Sequence, residues 1–133
     1  GRLAAALNAQ SGSSAYYMGS VVAYDNRIKE QVLGVKHDTL EKYGAVSEQT
    51  VREMAEGVRA LMNTDYAITT SGIAGPTGGS EEKPVGLMYS TIYTKNRYKN
   101  YRIQVNSSLS RIEIKEIFTE EVLKNIYNFL LEM

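Results

Sequence analysis

Thr69-Thr70-Ser71-Gly72-Ile73-Ala74-Gly75-Pro76-Thr77-Gly78-Gly79-Ser80-Glu81-Glu82-Lys83-Pro84-Val85-Gly86 decides how the rest of the chain is read. The run holds five of the eleven glycines and both prolines, and it stands between two segments with strand character. Glycine admits positive φ and close backbone approach, so such a loop can turn several N–H groups toward one point. A plain surface connector needs fewer glycines; a loop shaped around a ligand uses them. It is not a P-loop, because no Gly-Lys-Ser/Thr follows its glycines at the required spacing.

Residues 65–70, just before the loop, read as a buried strand. Residues 86–94 and 97–105, just after it, read as a hairpin turning at Lys95-Asn96. Leu87, Tyr89, Thr91 and Tyr93 alternate there with Met88, Ser90 and Ile92, the period of a strand with two distinct faces. Ser47 opens the clearest helix, with Val51, Met54, Ala55, Val58, Leu61 and Met62 on one apolar face. A second long helix is predicted from Ser110 to Leu131, its face formed by Ile114, Ile117, Phe118, Val122, Ile126, Tyr127 and Leu130. Shorter helices are expected from Asp25 or Asn26 to about Leu33, closed by Gly34, and from Asp38 to Gly44. Residues 17–24, rich in Val, Ala and Tyr, read as a further strand, and residues 1–9 as a helix lacking a capping residue. The sum is one α/β domain over residues 1–133: a three-layer α/β/α sandwich around a mixed sheet of four to five strands. Sites in such sheets gather where loops leave the carboxyl ends of strands, which here means after Tyr24 and after Thr70.

Composition narrows the function classes. The 133 residues suffice for one core without metal or disulfide staples. Fifteen basic and fifteen acidic residues cancel, so neither nucleic acid nor an anionic membrane is an expected partner. Cysteine is absent, which removes thiol nucleophiles and cysteine-bound zinc and agrees with a cytoplasmic location. With His37 the sole histidine, in a polar turn between Lys36 and Asp38, no metal site is expected. Glu81 and Glu82 read as solvated acids. The tyrosines at 89, 93, 98 and 101 suit a hairpin face that serves as a subunit interface, hence an expected homo-oligomer, a dimer.

Tyr24-Asp25-Asn26-Arg27-Ile28-Lys29 stands at the first strand-to-helix junction. A phenol and an amine five residues apart can face one pocket, and burial can lower the lysine enough to take a proton from a hydroxyl nucleophile. Asn26 is either the helix cap or a holder of a substrate carbonyl. From spacing alone, a packed tyrosine, a capping asparagine and a solvated lysine account for the same residues.

Several motifs occur in one order: Gly12-Ser13-Ser14-Ala15-Tyr16-Tyr17, Val22-Ala23-Tyr24-Asp25-Asn26-Arg27-Ile28-Lys29, Leu33-Gly34-Val35, Gly44-Ala45-Val46-Ser47-Glu48 and Met54-Ala55-Glu56-Gly57. Ala67-Ile68-Thr69-Thr70-Ser71-Gly72-Ile73-Ala74-Gly75-Pro76-Thr77-Gly78-Gly79 and Lys83-Pro84-Val85-Gly86 follow. From Gly1 to about Val105 the chain resembles the C-terminal domain of the competence/damage-inducible CinA proteins, the nicotinamide mononucleotide amidohydrolase family. The resemblance implies hydrolysis of the carboxamide of nicotinamide mononucleotide to nicotinic acid mononucleotide and ammonia, without a cofactor, by a serine nucleophile. On that pattern Lys29 is the general base, Tyr24 its partner in proton transfer and Asn26 the residue orienting the amide. Ser71, Gly72, Ala74 and Gly75 line the nucleotide site.

Two features depart from the family pattern. Its nucleophile lies in an Ala-Glu-Ser-Cys-Thr-Gly-Gly stretch whose last glycine matches Gly1, so the resemblance implies a nucleophile and a strand ahead of this sequence. Ser13, Ser14 and Ser71 are not assigned that part. The family also carries an arginine in a Phe-x-Gly-Asp-Arg-like segment, suited to a phosphate or carboxylate, where this chain has Val105-Asn106-Ser107-Ser108-Leu109-Ser110-Arg111. An ungapped match puts Leu109 at that arginine; a two-residue shift puts Arg111 there. The alternative to catalysis is a nucleotide-binding or oligomerising domain of a larger protein.

Overall fold

The computed structural model describes residues 1–132. The elements run α1 (Arg2–Leu7), a single 3-10 turn (Ser13–Ala15), α2 (Asn26–Gln31), α3 (His37–Tyr43) and α4 (Glu48–Met62). Then come β1 (Tyr66–Gly72), β2 (Leu87–Thr94), β3 (Tyr98–Gln104) and α5 (Arg111–Leu131). The two long helices begin where their capping residues stand. The Ser47 side chain accepts from Thr50 N at 3.1 Å, and Ser110 forms a reciprocal capping box with Glu113. Gly34 and Gly44 follow α2 and α3 at positive φ, where a β-carbon would be strained.

The sheet is smaller than expected and of one sense. Three strands lie in the order β1-β2-β3, both pairs antiparallel, with Thr69 opposite Thr91 and Thr91 opposite Asn100. A mixed sheet of four to five strands is therefore corrected to an antiparallel sheet of three. The segment between β1 and β2 contains no crossover helix, so the chain comes back alongside itself in the opposite direction. Residues 17–24 have strand composition but lie outside any ladder. Their main-chain groups find no neighbouring strand among the described residues, and β composition alone does not make a strand.

Side chains alternate from one sheet face to the other, and each face has its own core. Ile68 and Met88 pack with Ile114, Phe118 and Val122 of α5, joined by Leu3 of α1. Their chain neighbours Thr69 and Tyr89 face α4: Thr69 Oγ1 donates to Val51 O at 2.6 Å, and Tyr89 packs with Leu33, Val35, Leu40, Val51 and Met54. Helices thus cover both faces. Gly57 sets the depth at which α4 sits, since a β-carbon there would stand 1.6 Å from Leu33 O. No described helix is long and apolar enough to cross a membrane.

Candidate functional site

The outer edge of β1 opens onto a cavity of about 570 Å3, within the usual range for small-ligand sites. The glycine-rich loop and the start of α5 form one side. Residues 20–24 and α2 form the other, and α1 closes an end. All eight site residues expected from the sequence line this one space: Tyr24, Asn26, Lys29, Ser71, Gly72, Ala74, Gly75 and Arg111.

Lys29 is the only buried charged side chain among the described residues, 5% exposed. The first turn of α2 places it there: Asp25 caps the helix by accepting from Arg27 N at 2.8 Å, and Lys29 Nζ folds back under the cap. Nζ donates to Ala23 O at 2.7 Å and to Tyr24 O at 3.3 Å. Burial pushes its pKa below the ordinary lysine value, and the nearby Asp25 charge offsets part of that shift. The two carbonyls take two of its N–H donors, and the lowered pKa makes this amine a better proton acceptor than an exposed lysine.

Its expected companions stand differently. Asp25 is the cap, so Asn26 at the first helical position has no capping role and its side chain stays exposed at the cavity. Tyr24 lies at the rim, 84% exposed, and its contact with Lys29 runs through the main-chain carbonyl; no described hydrogen bond joins phenol to amine. His37 lies outside the cavity, its ring nitrogens 2.9 Å from Glu30 and 3.0 Å from Glu41.

The glycine loop is shaped by close approach. Gly75 has φ +75°, and a β-carbon would meet Val85 Cγ1 at 2.5 Å. Ile73 N donates to Leu87 O and Gly86 N to Ile73 O, which carries the pairing of β1 and β2 into the loop base. Lys83 Nζ donates to Tyr43 O at the end of α3, and Arg111 Nη1 donates to Gly75 O at 2.9 Å. The two alignments of the C-terminal motif separate here: Leu109 packs against the α5 core, whereas Arg111 lines the cavity.

Sequence reasoning missed Arg2 and Lys115, which also line the space. The signal for Lys115 was its position one turn after Arg111, a spacing that puts both on one helix face.

A sequence model described as the CinA C-terminal domain matches residues 1–130. A CinA-like protein of Prochlorococcus marinus (strain MIT 9215) is 42% identical over 132 residues, covering 98% of this chain and 31% of that protein. The chain spans less than a third of the length of the curated relatives it matches first. The crystal structure of the competence/damage inducible protein CihA from Agrobacterium tumefaciens superposes with TM-score 0.92 at 36% identity, covering 96% of this chain and 78% of that one. The competence damage-inducible protein A (ComA) from Klebsiella pneumoniae subsp. pneumoniae gives TM-score 0.93 at 33% identity, covering 98% and 80%. With a family match across nearly its whole length and the same fold in solved relatives, the chain belongs to the CinA C-terminal domain family.

Proposed function

We propose that this domain hydrolyses the carboxamide of nicotinamide mononucleotide, consuming water and giving nicotinic acid mononucleotide and ammonia. The observation that carries the reading is Lys29: a buried amine of lowered pKa in the wall of a ligand-sized cavity. The family resemblance supplies the reaction and the nucleophile, a serine hydroxyl from the segment preceding Gly1 in the whole protein.

Neutral Lys29 takes the hydroxyl proton as the oxygen attacks the carboxamide carbon. The tetrahedral intermediate collapses, the C–N bond breaks, and the proton passes to the departing ammonia. Water then attacks the ester and returns the serine. Asn26 holds the amide, Tyr24 assists proton transfer at the rim, and Ser71, Gly72, Ala74 and Gly75 hold the nucleotide. Arg111 is aimed at its phosphate, while one of its N–H groups keeps the loop in place. The reaction needs no cofactor or metal. We also propose that the protein is a cytoplasmic homodimer, and sedimentation as a monomer would remove the dimer. The strand register splits the four hairpin tyrosines between the two sheet faces and Tyr89 packs under α4, so they do not form one interface face.

Ammonia release from nicotinamide mononucleotide by the full-length protein tests the reading. Lys29→Met should lower kcat by about 10²–10⁴-fold. Full activity in that variant sinks the mechanism. Tight nucleotide binding with no ammonia from the unaltered protein would instead favour a non-catalytic binding domain.

A further inference from the structure

The whole chain is electrically balanced, but the cavity is not. Its charged wall residues are Arg2, Lys29, Arg111 and Lys115, and no aspartate or glutamate lines it. The nearest acids in sequence are engaged elsewhere. Asp25 holds Arg27 at 3.3 Å, Glu113 closes the capping box with Ser110, and Glu116 lies 3.8 Å from Arg2. That leaves Arg111 and Lys115 without a carboxylate. Arg111 uses one N–H on Gly75 O and keeps the rest of its donors. Lys115 is half-buried, and among the described residues its ammonium has neither a hydrogen bond nor an ion pair. Thr119, a turn further on, is turned back on the helix, its hydroxyl donating to Lys115 O at 2.9 Å.

Arg111 is exposed and Lys115 half-buried, one helical turn apart on the cavity wall, so both side chains can reach one anion held there. A phosphate monoester fits: it is dianionic near neutral pH and offers three acceptor oxygens to a guanidinium and an ammonium. We propose that Lys115 is a second phosphate-binding residue, forming with Arg111 a two-cation clamp that makes the site select phosphorylated over unphosphorylated ligands. The identity of the full substrate rests on the function proposed above; the clamp itself does not.

Calorimetry on the full-length protein with ribose 5-phosphate, and with ribose as its control, tests the clamp apart from any turnover. The unaltered protein should bind ribose 5-phosphate and not ribose. Lys115→Gln should weaken that binding about tenfold, as expected for one charge-assisted contact, and Lys115→Arg should restore it. Thermal melting of both variants should match the unaltered protein, since the Lys115 side chain makes no hydrogen bond or ion pair among the described residues. For nicotinamide mononucleotide turnover, Lys115→Gln should raise KM by a similar factor at nearly constant kcat. Equal ribose 5-phosphate binding by the unaltered protein and Lys115→Gln overturns the clamp, as does absence of binding by the unaltered protein. If Lys115→Gln loses ribose 5-phosphate while no variant releases ammonia, the clamp stands and the amidohydrolase reading falls. If ammonia is released and its KM is insensitive to Lys115, the amidohydrolase reading stands and the clamp falls.

Discussion

The two walls of the cleft are held by opposite means. The glycine loop is fastened at many points: to β2 through Ile73, to α3 through Lys83, to β3 through Gln104 and to α5 through Arg111. Facing it, residues 18–24 make no hydrogen bond from main chain to main chain among the described residues. Val21 and Ala23 pack on the Leu33–Val35 core, and the Lys29 amine holds the carbonyls of Ala23 and Tyr24. One wall is a frame fixed at many points, and of these fastening side chains Lys83 and Gln104 lie outside the cavity while Arg111 lines it. The other is organised around a group inside it, so the candidate base also holds its own surroundings in place.

The contrast is open to experiment, and the Lys29→Met loss of ammonia release is its largest expected effect. Next comes Gly57→Ala, which strikes the Lys29 wall from behind by forcing a β-carbon onto Leu33 O. We expect a loss of about 3 kcal/mol in urea unfolding, the upper range for overpacking. A change below about 1 kcal/mol would mean that α4 can withdraw from the α2–α3 connection at little cost. On the opposite wall, Arg111→Ala should cost only about 1–2 kcal/mol, because the other fastenings of the loop survive. Cooperative collapse in that variant would show that the loop hangs on one bond.

The smallest effects are in pH dependence, and here the signs differ between two groups on α2 and α3. Burial holds the Lys29 pKa below its ordinary value of 10.5, so the folded chain binds fewer protons than the unfolded one between the lowered pKa and 10.5. Stability should rise with pH across that interval, and Lys29→Met should flatten the rise. His37 is raised above 6.5, chiefly by its hydrogen bond to Glu30 and then by the charges of Glu30 and Glu41. Its contribution is complete below 6.5 and is lost as pH climbs through the folded value. His37→Gln should abolish that fall and leave the alkaline rise intact. Urea titrations across pH separate the two; a His37 variant with an unaltered neutral-range slope would contradict the assignment.

Much of this was legible in the residues. Periodicity and serine caps located α4 and α5, and alternation located the β2–β3 hairpin, because these signals are local. The eight residues expected at the site are motif positions, and the fold places them along one cavity. What failed was whatever depends on a partner. Residues 17–24 carry strand-forming side chains, yet a strand exists only beside another. Asp25 and Asn26 are equally good caps on paper, and only the backbone geometry at Asp25 decides between them. Gly57 entered the sequence reading only as part of a motif, and its packing role depends on Leu33 O beside it. Lys115 was passed over because the helix was read for its apolar side.

The strand order β1-β2-β3 repeats the order of synthesis, and this bears on how the domain folds. The turn between β2 and β3 closes a few residues, whereas joining β1 to β2 must first close the whole glycine loop, at a greater loss of chain entropy. We therefore expect the hairpin to form first and β1 to dock on it later. Conservative truncations such as Ile92→Val should then slow folding, while Ile68→Val should mainly speed unfolding. Equal φ-values in the two strands would refute this order. If it holds, the cavity edge is the last part of the sheet to take shape.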